Sequence, residues 1–97
     1  MTGAPIPSRR LAWRRVDGAL RRAAPQSELV LTDALADPVR LQGAALTVWR
    51  ALREPRSEDD LASAVAEAAR LPVGAVRQDV ADALAELAAA ELITPAP

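Results

Sequence analysis

The chain has 97 residues, a formal charge of -1 and 51% apolar residues, yet only two aromatic ones, both Trp. A chain this short holds one compact core, which excludes a second domain. The absence of Cys, His and Lys removes disulfides, thiolate and imidazole metal ligands, thiol and imidazole catalysis and Schiff-base chemistry, so composition speaks against an enzyme.

The start, Met1 to Ser8, is rich in Pro and small residues and leads to Arg9 and Arg10 without the hydrophobic stretch of a signal peptide. It predicts a disordered tail over residues 1–10 of a cytoplasmic protein. No apolar run approaches the roughly 20 residues of a membrane span.

Leu11 to Val16 mixes Trp13 and Val16 with Arg14 and Arg15 before Asp17-Gly18, a strong turn signal, and predicts a first strand. Ala19 to Gln26, rich in Arg and Ala and closed by Pro25, predicts an irregular excursion. Glu28 to Thr32 is an apolar run of strand length. Pro38-Val39-Arg40-Leu41 predicts a short third strand with Val39 and Leu41 on one face. Pro38 confines it to a strand start or a sheet edge, since proline has no N–H to give a ladder.

From Gly43 the period changes. Leu41, Ala45, Val48, Trp49 and Leu52 recur at steps of three and four, predicting a helix from about Ala44 to Arg53, ended by Pro55. Ser57 opens a second helix as its cap, with Glu58, Asp59 and Asp60 in the first turn, where the dipole favours negative charge. Leu61, Ala64, Val65 and Ala68 form its stripe. Pro72 starts a third helix with Val73, Val76, Val80, Leu84 and Leu87 on one face, followed by Leu92-Ile93 and Pro95. The fold class is α+β, three short antiparallel strands followed by three α-helices.

Only carboxylates and hydroxyls are available for chemistry. Asp79, Asp82 and Glu86 share one helical face, the geometry of a hard-cation site but also of a solvated face, and no oxygen-rich loop joins them. Ser57 lacks a base to make it a nucleophile. The four Gly are isolated, so there is no phosphate loop. No catalytic residue, metal or cofactor is expected. Trp49 lies on the core stripe, while Trp13 either packs on the helices or meets a partner.

Charge divides the chain. Residues 1–56 hold ten Arg against five acids, net +5, and residues 57–97 hold two Arg against eight acids, net -6. The pairs Arg9-Arg10, Arg14-Arg15 and Arg21-Arg22 suit phosphates. A nucleic-acid reading is opposed by the scarcity of aromatics and by the acidic third helix, the element a winged helix would place in the major groove.

The run Val39-Arg40-Leu41-Gln42-Gly43-Ala44-Ala45-Leu46-Thr47-Val48-Trp49-Arg50-Ala51-Leu52 resembles the signature "x-x-Leu-Asn-Gly-x-Ala-x-x-x-Trp-x-x-Leu" of the PqqD-like proteins, small peptide chaperones also called RiPP recognition elements. Pro55-Arg56-Ser57 through Leu61 resembles the family's second-helix start, and Val76-Arg77-Gln78-Asp79-Val80 with Leu84, Leu87 and Leu92-Ile93 its closing helix. The resemblance covers about residues 11–94. Gln42 replaces the family's usual Asn, Glu91 replaces its usual helix-ending Gly, and Ala19 to Gln26 looks like an insertion.

The resemblance implies a winged-helix-like, non-catalytic module that captures the leader of a ribosomally made precursor peptide and presents it to a modifying enzyme. Such a peptide adds as a strand to a sheet edge. The family's groove maps onto Val39, Arg40 and Leu41 facing Arg77, Val80, Ala81 and Leu84, with Arg40 and Arg77 suited to an acidic leader. The alternatives are a DNA-binding winged helix and a plain assembly domain. The open edge also leaves room for a homodimer.

Overall fold

The computed structural model describes residues 12–33, 35 and 37–96. The tail expected over residues 1–10 lies outside them. Six strands in two antiparallel sheets and three helices make up the described fold. The α+β class is as expected, with three further strands joining the three anticipated.

One sheet contains β2 (Leu20–Ala24), β3 (Ser27–Leu31) and β4 (Val39–Leu41), in the order β2-β3-β4. In β3 the two-residue period is plain: Glu28 and Val30 are buried, while Ser27, Leu29 and Leu31 are half-buried on the other face. The segment Ala19 to Gln26 is not irregular. Its β2 portion pairs with β3 from Leu20↔Leu31 to Ala24↔Ser27, around the two-residue turn Pro25-Gln26. All of β2 is exposed, so it carries no apolar alternation. A ladder needs main-chain groups and not burial, and proline suits the first central position of a turn.

The second sheet is β5-β1-β6, formed by β1 (Ala12–Arg15), β5 (Arg56–Ser57) and β6 (Ile93–Pro95). Trp13 stands opposite both Arg56 and Pro95. β1 therefore does not join the sheet of β3 and β4. The turn at Asp17-Gly18, with Gly18 at φ +78°, carries the chain from one sheet to the other. β5 and β6 are too short to leave a periodic signal.

The helices are α1 (Gly43–Ala51), α2 (Glu58–Ala69) and α3 (Val73–Ala89). Gly43 takes φ +59° at the entry to α1, a conformation that explains glycine there. Gln42 precedes it and makes no side-chain cap bond. Ser57 caps α2: its Oγ accepts from the Asp60 backbone N–H at 3.1 Å. The inward face of α2 is Leu61, Ala62, Val65 and Ala66, whereas Ala64 is half-buried and Ala68 exposed. Alanines all round this helix blur its stripe.

α3 ends without glycine but with the bonds of a Schellman motif. Leu92 N–H reaches Leu87 O and Glu91 N–H reaches Ala88 O, each at 3.0 Å, while Glu91 itself adopts φ +60°. The three helices and β3 enclose one core centred on Val48, Trp49, Leu61, Val80, Leu87 and Leu92, all 0% exposed. Among the described residues no helix is long and apolar enough to cross a membrane.

Candidate functional site

β4 is an edge. It pairs with β3 on one side, at Glu28↔Leu41, Leu29↔Arg40 and Val30↔Val39, and with no other strand among the described residues. Its remaining N–H and C=O groups are a template for an incoming extended chain. Where β4 ends, a groove of about 410 Å³ begins, lined by Gln42, Ala44 and Ala45 at the start of α1 and by Asp79, Asp82, Ala83 and Glu86 of α3. Asp79, Asp82 and Glu86 are exposed, and Asp82 accepts a hydrogen bond from Gln78 at 2.9 Å. Among the described residues no group of three or more Asp or Glu converges as a metal site.

The residues anticipated for this region fall into three groups. Leu41, Val80 and Leu84 belong to the core, at 2%, 0% and 4% exposure, and hold β4 and α3 in place from beneath. Val39 is half-buried and packs on that core, while Arg40, pointing the opposite way along the strand, is exposed on the outer face with Leu29. Arg77 turns toward α2, where its Nη1 lies 2.9 Å from Asp59 Oδ1. Ala81, one turn on, shares that flank. Asp79, Asp82 and Glu86 occupy the other flank, beside α1. The groove thus starts at Gln42, the residue after β4, and none of the seven anticipated residues lines it; Arg77 and Ala81 lie on the flank turned away from it.

A second polar feature lies at the other end of α1. Trp49 is fully buried and its Nε1 donates to Glu28 Oε2 at 2.6 Å, although Glu28 is itself only 2% exposed. A buried carboxylate needs partners of opposite charge. Arg50 and Arg21 supply them, with Nε at 3.4 Å from Oε1 and 3.5 Å from Oε2 respectively. Arg15 lies over the Trp49 ring at 4.3 Å from its centroid and donates from Nε and Nη2 to the Trp49 carbonyl. Burial, then the neighbouring Arg21 and, less, Arg53, hold the Arg15 guanidinium below its ordinary range, against a smaller upward pull from Glu28. Sequence reasoning passed over Glu28. Its only signal was one acid inside an apolar strand run. Trp13 is half-buried and packs against the core.

The comparisons with known proteins agree with this architecture. Among curated proteins no relative matches. A solution NMR structure of the PqqD truncation of Methylobacterium extorquens PqqCD, described as a functional and stand-alone RiPP recognition element, is similar in fold, with a TM-score of 0.67 at 15% identity over 86% of this chain and 88% of that one. The family described as Coenzyme PQQ synthesis protein D (PqqD) matches residues 28–93, a span that runs from the buried Glu28 through β4, the three helices and the start of β6, so the chain belongs to the PqqD family.

Proposed function

We propose that the protein is a non-catalytic recognition element that captures the leader of a ribosomally synthesised precursor peptide by strand addition at β4 and presents it to a modifying enzyme. The observation that carries this reading is the edge at Val39 to Leu41, unpaired on its outer side among the described residues and followed directly by Gln42, where the groove beside α3 begins. Main-chain bonds to an edge supply affinity, and the groove wall supplies selectivity. Leu41, Val80 and Leu84 act from the core by fixing the strand against the helix. Because Arg40 faces outward and Arg77 is engaged by Asp59, the wall facing the peptide is acidic. A leader with basic residues on that side suits it better than an acidic one. The same carboxylates oppose a duplex-DNA reading of α3.

Selection of displayed random peptides on the immobilised protein supplies a probe, and proline substitution tests the edge. Successive N–H groups of a strand point to opposite neighbours. Of Val39→Pro and Arg40→Pro, one should lose a ladder bond and unfold easily. The other should stay folded and lose about 1 to 3 kcal/mol of peptide binding, the cost of an acceptor left unmatched. If both variants fold and bind the selected peptides as the parent does, the peptide docks elsewhere.

A further inference from the structure

The geometry points to a second binding site, for an oxyanion, in the pocket between β2, β3 and the end of α1. This pocket, of about 460 Å³, is lined by the side chains of Arg15, Arg21, Arg50 and Arg53, with Glu28 as its one acid. It shares no lining residue with the groove at β4. Four guanidinium groups against one carboxylate leave a net charge of +3. The C-terminal end of the α1 dipole offsets only about half a charge of that excess.

The donors divide unevenly. Arg50 is fully committed: its Nε goes to Glu28, its Nη1 to Pro25 O and its Nη2 to Ala24 O. Arg15 has spent Nε and Nη2 on the Trp49 carbonyl and keeps Nη1. Arg21 touches Glu28 through Nε alone, at 3.5 Å, which leaves both terminal nitrogens. Arg53 has no hydrogen-bonding or ionic partner among the described residues. Glu28 has little left to give, because Trp49, Arg50 and Arg21 already share its two oxygens. Arginines that repel one another and keep planar pairs of donors free are arranged for a carboxylate or phosphate group. Arg21 and Arg53 grip that group, and the free edge of Arg15 backs it.

The buried indole reports on occupancy, since it is joined through Glu28 to Arg21. The probes are inorganic phosphate and a short oligo-glutamate peptide, each added at constant ionic strength while the Trp49 indole resonance is followed by NMR. A saturable shift is expected. Arg21→Gln and Arg53→Gln, both at exposed positions, should each weaken it about fivefold, the scale of one charge-assisted donor. Arg77→Gln, on the far flank of α3, should not. Saturation by phosphate alone assigns the site to a free anion. Tighter saturation by oligo-glutamate assigns it to acidic side chains of a protein partner. A shift matched by sodium chloride, or one insensitive to Arg21→Gln and Arg53→Gln in proteins whose spectra remain folded, overturns the proposal.

Discussion

Replacing Trp49 by Phe is the sharpest test of what holds β3 to α1. The substitution keeps a ring in the core but removes the indole N–H that meets Glu28 Oε2 at 2.6 Å. The lost ring area costs about 1 kcal/mol. A hydrogen bond to a buried charged group adds about 1.5 to 3 kcal/mol, and here both partners are out of water, at 0% and 2% exposure. Arg15 retains a ring to lie over, so little of the cation–π term is lost. The variant should therefore lose about 2.5 to 4 kcal/mol, a large part of the roughly 5 to 15 kcal/mol that stabilises a domain of this kind.

Glu28→Leu separates the two contributions. Alone it strands the indole N–H in the core, at a cost of about 1 to 3 kcal/mol. Arg21 and Arg50, with side chains 45% and 39% exposed, pass to water at little cost. In the double variant neither group is orphaned, so it should be at least about 1.5 kcal/mol more stable than the two single losses added together. Urea unfolding of all four proteins, followed by far-ultraviolet circular dichroism, measures this coupling. Losses that add within about 0.5 kcal/mol would mean that the indole and the carboxylate do not share a bond.

Three further outcomes follow from local geometry. Glu91→Gly relieves a non-glycine residue at φ +60° and should raise stability by about 0.5 to 1 kcal/mol, read as a higher melting temperature. Ser57→Ala removes the acceptor of the Asp60 N–H and should cost about 1 kcal/mol in the same assay. Amide hydrogen exchange should find β2 far less protected than β3, because every residue of β2 is exposed and it is an edge. Equal protection along both strands would show that β2 is no local unfolding unit.

The helices were legible because their apolar steps survive in the packing: Ala45, Val48, Trp49 and Leu52 of one stripe, and Val76, Val80, Leu84 and Leu87 of another, are all buried. β4 was legible from Pro38 and the alternation at Val39 and Leu41. The flank of α3 that faces the groove was not. Ala75, Ala81, Ala83, Ala85, Ala88 and Ala89 give this helix small residues on every side, so its stripe marks the core but not which edge turns to α1. That choice rests on how α3 docks, with Arg77 drawn to Asp59 on α2. β2, β5 and β6 went unseen for a different reason: a short or fully exposed strand is held by its backbone, and the backbone writes nothing in side-chain pattern.

The buried Glu28 links stability to the proposed role. Its position in β3 pairs with Leu41, the last residue of β4, so the residue that ties the sheet to Trp49 also stands beside the end of the proposed docking edge. An edge that must accept a flexible peptide gains when its own backbone is already ordered, since the ordering cost then falls on the peptide alone. From one side the Glu28–Trp49 bond holds β3, and from beneath Leu41 anchors β4 in the core. β2, on the other edge, is exposed at every residue and has no comparable anchor in the core. Both edges offer backbone groups, and β2 borders the arginine-lined pocket, but of the two strands only β4 buries a residue in the core, Leu41. That asymmetry is the reason the proposal places leader addition at β4 and not at β2.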